Sequence, residues 1–171
     1  MTFRNLIIAA ALLATCGAYA QEAAKPAFNP ADYPPGVQKA LHYANEECAA
    51  GGGGEVTFAP DTVSKLDLNG DGRGDYIIDF RDTQCKDRES AYCGTGGCVM
   101  DILVTLPNGA VRRVFDGYVR NYEILSRPAN AGAARTIRFE LHGGYCGGHG
   151  SPSCFKEKRI TARPFAFRMP Q

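Results

Sequence analysis

The residues best placed to do chemistry sit in one short stretch, Asp67-Leu68-Asn69-Gly70-Asp71-Gly72-Arg73-Gly74-Asp75. Asp67, Asn69, Asp71 and Asp75 stand at loop positions 1, 3, 5 and 9, and Gly72 at position 6 permits a sharp turn. Position 7 offers the backbone carbonyl of Arg73. Alternate residues of a tight loop point inward, and a hard divalent cation takes six to eight oxygens, so this is calcium-loop spacing. Three carboxylates drawn into one turn repel one another unless a cation or other donors meet them. The expected ligand set is therefore Asp67, Asn69, Asp71, Arg73 and Asp75, holding one Ca2+. Without a metal, the same stretch reads as a turn rich in Asp, Asn and Gly. Arg73-Gly74-Asp75 also spells an integrin-type tripeptide. An Asp75 engaged by a metal is not free to meet a receptor.

The loop departs from the EF-hand in two ways. Position 12 is Ile78, so the bidentate Glu is missing, and Tyr76-Ile77-Ile78 reads as a strand where an EF-hand has a helix. Affinity then falls to roughly 10⁻⁴–10⁻³ M, the range of extracellular modules. At millimolar calcium such a site adds no more than about 1–1.5 kcal/mol, which makes it structural rather than a sensor.

Other chemistry is sparse. His142 and His149 flank Cys146, a conceivable metal site. In an oxidising compartment, however, Cys146 is expected to be spent in a disulfide, and a disulfide sulfur is a poor ligand. Gly-x-Ser-x-Gly, His-Glu-x-x-His and Cys-x-x-Cys are all absent. Glu123 and Glu140 are the first choices for paired hydrolytic carboxylates, though each reads more simply as a solvent-facing strand residue. With three histidines and no catalytic motif, no enzyme is expected.

Charge is uneven along the chain. Residues 21–101 hold 14 acids and 7 bases, whereas residues 102–171 hold 4 acids and 11 bases. The simplest reading is that the two halves neighbour each other and compensate. The alternative is a dipolar surface. Its basic face would meet an anionic envelope polymer, and its acidic face, around Glu55, Asp61, Asp79 and Asp82, a cationic protein. Nucleic acid is not an expected partner.

These groups need elements to hold them. Pro34-Pro35 fits a helix start, Val37, Leu41, Ala44 and Cys48 recur at helical spacing, and Gly51–Gly54 ends the pattern. One helix over about 35–50 is predicted. Strands are predicted at Glu55–Ala59, Val63–Leu68, Asp75–Phe80, Val99–Leu106, Val111–Phe115, Tyr118–Ser126, Thr136–His142, Arg159–Ala162 and Phe165–Phe167. Asn108-Gly109 is a hairpin signal between two of them. The predicted fold is α+β and mainly β: one antiparallel sheet, flat or curled into a barrel or sandwich, with an N-terminal helix packed on it.

The N-terminus has the three-part layout of a secretory signal: Arg4, an apolar run Leu6–Ala14, and Ala18-Tyr19-Ala20 before Gln21. Residues 1–20 are read as signal, 21–34 as a flexible leader and 35–171 as one β-rich domain. Leu13-Ala14-Thr15-Cys16 offers a rival lipobox that would lipidate Cys16. No apolar run beyond the N-terminus is long enough to span a membrane. The exported chain keeps Cys48, Cys85, Cys93, Cys98, Cys146 and Cys154, an even set in an oxidising compartment. Six cysteines allow fifteen pairings, and sequence does not choose among them. Two local pairs are attractive, Cys146 with Cys154 and Cys93 with Cys98, which leaves Cys48 with Cys85.

The aspartate loop resembles the Asp-x-Asn-x-Asp-Gly loops of dockerins and, more closely, of FG-GAP-type propeller blades, where a strand follows the loop. That resemblance implies calcium alone, since a propeller needs several copies and this chain has one. Asp67–Phe80, with Tyr92–Cys98 and Leu141–Cys146, resembles a group of small exported envelope proteins of Gram-negative bacteria. It implies periplasmic location and single-domain size, and carries over no catalytic residue. The expected function is a disulfide-braced periplasmic or secreted binding module for a protein or envelope polymer. An inhibitor of a cell-wall hydrolase such as lysozyme is the first alternative, and a small peptidoglycan-acting hydrolase the second.

Overall fold

The computed structural model describes residues 27–88, 91–125, 132–148 and 152–170. The expected signal segment, with Cys16, and His149 lie outside the described residues. Helix α1 spans Pro35–Ala50, with Pro35 in its first turn, where an N–H would have no partner. Val37, Ala40, Leu41, Ala44 and Cys48 form its buried stripe. The helix stops where the Gly51 N–H bonds the Glu47 carbonyl and Gly52 turns to φ +74°.

The strands are β1 (Val56–Thr57), β2 (Val63–Leu66), β3 (Asp75–Asp79), β4 (Gln84–Cys85), β5 (Cys93–Gly94), β6 (Gly97–Thr105), β7 (Val111–Val119), β8 (Asn121–Ile124), β9 (Thr136–His142) and β10 (Ser153–Arg159). All pairings are antiparallel. A central sheet runs β2-β3-β6-β5, with β7 also on β6, and a second sheet runs β10-β9-β8. β1 and β4 form a separate pair, and among the described residues the strands do not close into a barrel.

Side chains alternate across the central sheet, so its two faces feed two cores. Tyr76, Ile78 and Leu103 face α1 and pack with Leu41 and Ala44. Ile77, Met100, Ile102 and Val104 face the second sheet and pack with Ile137, Phe139 and Leu141. A strand covered on both faces must be apolar at successive positions, which accounts for the Ile77-Ile78 pair.

The structure corrects several sequence expectations. Tyr118–Ser126, predicted as one strand, is divided. Tyr118 and Val119 finish β7 in the central sheet, the chain bends at Arg120, and β8 begins the second sheet. The corner is tight: a Cβ on Gly97 would lie 2.3 Å from the Val119 carbonyl carbon. This bend divides the antiparallel strands between the central sheet and the second sheet. Arg159–Ala162 and Phe165–Phe167 do not form strands beyond Arg159. Phe165 and Phe167 instead plug the second core, with ring centroids 5.0 Å and 5.7 Å from Phe115. β10 was missed because its residues are mostly exposed and polar, so backbone pairing to β9 defines it rather than an apolar pattern. The leader, from Ala27 on, has local structure: Asn29 caps a 3-10 turn, and Phe28 stacks on Tyr33 at 5.4 Å.

Three disulfides join Cys48 to Cys85, Cys93 to Cys98 and Cys146 to Cys154. The first fastens the end of α1 to β4. Such a set fits a protein matured in an oxidising compartment. Among the described residues, no helix is long and apolar enough to cross a membrane.

Candidate functional site

The aspartate loop joins β2 to β3 and is closed by its own hydrogen bonds. Asp67 Oδ1 accepts from the Gly70 N–H at 2.7 Å and Oδ2 from that of Gly72 at 3.2 Å. Asn69 Oδ1 accepts from Asp71 N–H at 3.0 Å, and Asp71 Oδ1 from Arg73 N–H at 2.9 Å. The Arg73 guanidinium pairs with Asp71 Oδ2. Backbone N–H groups and one guanidinium thus relieve the repulsion that the sequence predicts. Gly70 is obligatory, because a Cβ there would lie 2.1 Å from the Gly132 carbonyl oxygen.

Asp75 has a different role from its loop neighbours. It is 0% exposed, and its carboxylate accepts three backbone N–H groups, from Leu68 at 2.9 Å, Asn69 at 3.1 Å and Thr105 at 2.8 Å. Burial pushes its carboxyl above the ordinary range, and these N–H groups pull it back. Asp75 therefore staples the loop to the end of β6, and the Arg73-Gly74-Asp75 tripeptide is not presented to a partner. Among the described residues, no three His, Cys, Asp or Glu side chains converge to hold a metal. Calcium at this loop would have to draw Asp67, Asn69 and Asp71 away from the N–H groups they now meet.

The other sequence candidates are dispersed. Glu123 and Glu140 lie on β8 and β9 in register with Arg138 and Asn121, on the face opposite Ile137 and Phe139. Glu123 pairs with Arg138 at 3.4 Å, and both glutamates stand on the face away from the second core. His142 Nδ1 accepts from the Gly144 N–H, and Cys146 is oxidised, so neither forms part of a thiolate metal site. Of the acidic face, Asp61, Asp79 and Asp82 line one small pocket, and Glu55 does not line it.

The strongest constellation is one that the sequence reading missed. A cleft of about 410 Å³ opens between α1 and the β6–β7 ladder. Its floor is Asp101, 4% exposed, on the α1 side of β6. Arg113 Nη2 reaches Asp101 Oδ2 at 3.1 Å, and Nη1 reaches Asp116 Oδ2 at 3.6 Å. A β-bulge brings this pair together. Ile102 faces Phe115 but Leu103 faces Arg113, leaving Val114 as the extra residue. In regular register Arg113 would oppose Val104, whose side chain points into the second core. The bulge turns it to the face that carries Asp101.

The walls are aromatic. Tyr92 stacks on Phe80 with centroids 5.4 Å apart and donates its hydroxyl to the Ala44 carbonyl at 2.5 Å. Tyr43 and Tyr118 stand exposed at the rim, with the Tyr43 hydroxyl bonded to Glu47. Burial lifts the Asp101 carboxyl to about 6, an effect opposed by Arg113 and reinforced by Asp116. A perturbed acid at the base of a cleft makes this constellation the candidate site. One sequence signal existed: Asp101 is a lone charge inside the apolar run Val99–Leu106. Its partner was hidden, since a bulge has no sequence pattern of this kind. Comparison with family models, with curated proteins and with solved structures finds no match for this chain.

Proposed function

We propose that this chain is an exported binding module, periplasmic or secreted, that holds a saccharide unit of an envelope polymer in the α1–β7 cleft. The observation that carries this reading is the floor of the cleft. An acceptor, Asp101, and a donor, Arg113, lie 3.1 Å apart beneath tyrosine walls. The acids Glu47, Asp101 and Asp116 are nearly balanced by Arg88 and Arg113, so the cleft suits a neutral ligand over a strong ion. A polyol offers hydroxyls that both donate and accept, and its C–H face stacks on flat rings. The cleft's volume lies within the range of small-ligand sites. The test is a two-dimensional NMR titration of the oxidised protein with N-acetylhexosamine oligosaccharides. Saturable shifts should map to Tyr43, Tyr92 and Gly117 and be lost in Tyr118→Ala, a rim change the fold tolerates. Saturation with no shift at these positions would defeat the reading.

The raised Asp101 favours a second reading, hydrolysis of the same polymer. A carboxyl near 6 serves as general acid, and Asp116, exposed across the ladder, is the second carboxylate. Release of reducing ends from peptidoglycan, abolished in Asp101→Asn with binding retained, would establish it. The oxygen spacing of Asp67, Asn69, Asp71, Arg73 and Asp75 supports a weak structural calcium site as part of either reading.

A further inference from the structure

A second pocket lies on the other side of the central sheet, away from the cleft. It measures about 180 Å³ and is lined by Asp61, Thr62, Ser64, Asp79, Asp82 and Tyr122. Val63 and Ile78 face α1, so strand alternation sends Thr62, Ser64 and Asp79 to the opposite face. There Tyr122 of β8 closes the gap between the two sheets. Thr62 is 2% exposed, yet its Oγ1 meets no hydrogen-bond partner. A buried hydroxyl without a partner is costly, and natural structures keep few of them without a reason. Asp79 accepts from the Arg81 N–H at 3.1 Å, and its other oxygen forms an ion pair with the Arg81 guanidinium at 3.6 Å, too long for a hydrogen bond. That oxygen keeps hydrogen-bond acceptor capacity, beside Asp82.

We propose that this pocket is a primary-ammonium site, and that its ligand is a lysine side chain of a partner protein. The arrangement asks for a compact cation with several donors: Thr62 Oγ1 and the Asp79 and Asp82 carboxylates accept, and Tyr122 supplies an aromatic wall. A guanidinium is planar and wider, and suits a shallow fork better than this small pocket. A metal fits less well, since no three acidic, His or Cys side chains among the described residues converge on one point. The site is independent of the saccharide reading, because it shares no residue with the cleft.

The probe is Nα-acetyl-lysine methylamide, added to the ¹⁵N-labelled oxidised protein, with the Nε-acetylated analogue, cadaverine and CaCl2 as separate arms. The lysine probe should give saturable shifts at Thr62, Asp79 and Tyr122, and the acetylated analogue none. Asp82→Asn should weaken binding about tenfold through one lost charge-assisted bond. Thr62→Val should weaken binding while leaving the thermal midpoint unchanged or raised, because the hydroxyl it removes bonds nothing in the fold. A structural role for Thr62 would instead lower that midpoint. Equal response to the acetylated analogue, no saturable shift, or tighter binding of calcium at the same residues would overturn the proposal. Cadaverine binding tighter than the lysine probe would replace the protein ligand with a free diamine and overturn that half of it.

Discussion

Replacing Asp101 with Asn should stabilise this protein at neutral pH. The Asp101 carboxyl is raised from 3.8 to about 6, with burial outweighing the attraction of Arg113. Its folded value lies above its unfolded value, so its contribution is fully present below about pH 4 and is lost as pH rises through 6. The ionised form is therefore disfavoured in the fold by about 3 kcal/mol relative to the neutral form. Asn has the same shape, carries no charge, and its Oδ1 still accepts from Arg113. Arg113 is not stranded, because it is 38% exposed and keeps Asp116. Guanidinium denaturation of both proteins from pH 4 to pH 8 measures the effect. The advantage of the variant should open from roughly half a kcal/mol at pH 4 to about 3 kcal/mol at pH 7. The difference is the readout, because Asp75 and Asp79 are also raised by burial and tilt both curves alike. A flat difference across this range, or a wild type more stable at pH 7, would refute the argument that Asp101 is held at a cost to the fold.

Three further outcomes follow from the same geometry. Asp75→Ala leaves three backbone N–H groups without their acceptor and should cost about 3 kcal/mol or more, whereas Asp71→Ala, at the loop surface, should cost less than about 1 kcal/mol by the same denaturation assay. Removing the Cys48–Cys85 bridge, with separation 37, should cost about 4 kcal/mol, against about 2 kcal/mol for Cys93–Cys98, with separation 5. Paired Cys→Ala variants under equal denaturant test that order, and equal costs would show that loop length does not govern it. Millimolar calcium should raise stability by no more than about 1.5 kcal/mol, reversed by chelator and absent in Asp67→Asn; no effect of calcium would identify the loop as a turn closed by hydrogen bonds alone.

Much of the fold was legible where a local pattern carries it. The α1 stripe has helical period, and the helix runs from Pro35 to Ala50 as predicted. Asn108-Gly109 closes the β6–β7 hairpin, with Gly109 at φ +81°. Thr136–His142 alternates and is β9. The two local cysteine pairs matched because short separation brings such residues together whatever the rest of the chain does. β10 and the corner at Arg120 were illegible, because they depend on which backbone edge is left to pair and where a second sheet can stack.

The sequence by itself determined the chemistry available: seven cysteines, a loop of alternating oxygens, and one acid embedded in an apolar strand. It also determined the helix and most strands, since period and turn residues act between near neighbours. Only the tertiary structure decided what those groups do. It spent Asp75 on three backbone N–H groups, turned Glu123 and Glu140 outward, and used one bulged residue to bring Arg113 beside Asp101. The physical reason is that a side chain's face and burial depend on register and on stacking between distant segments, and neither is encoded in local spacing.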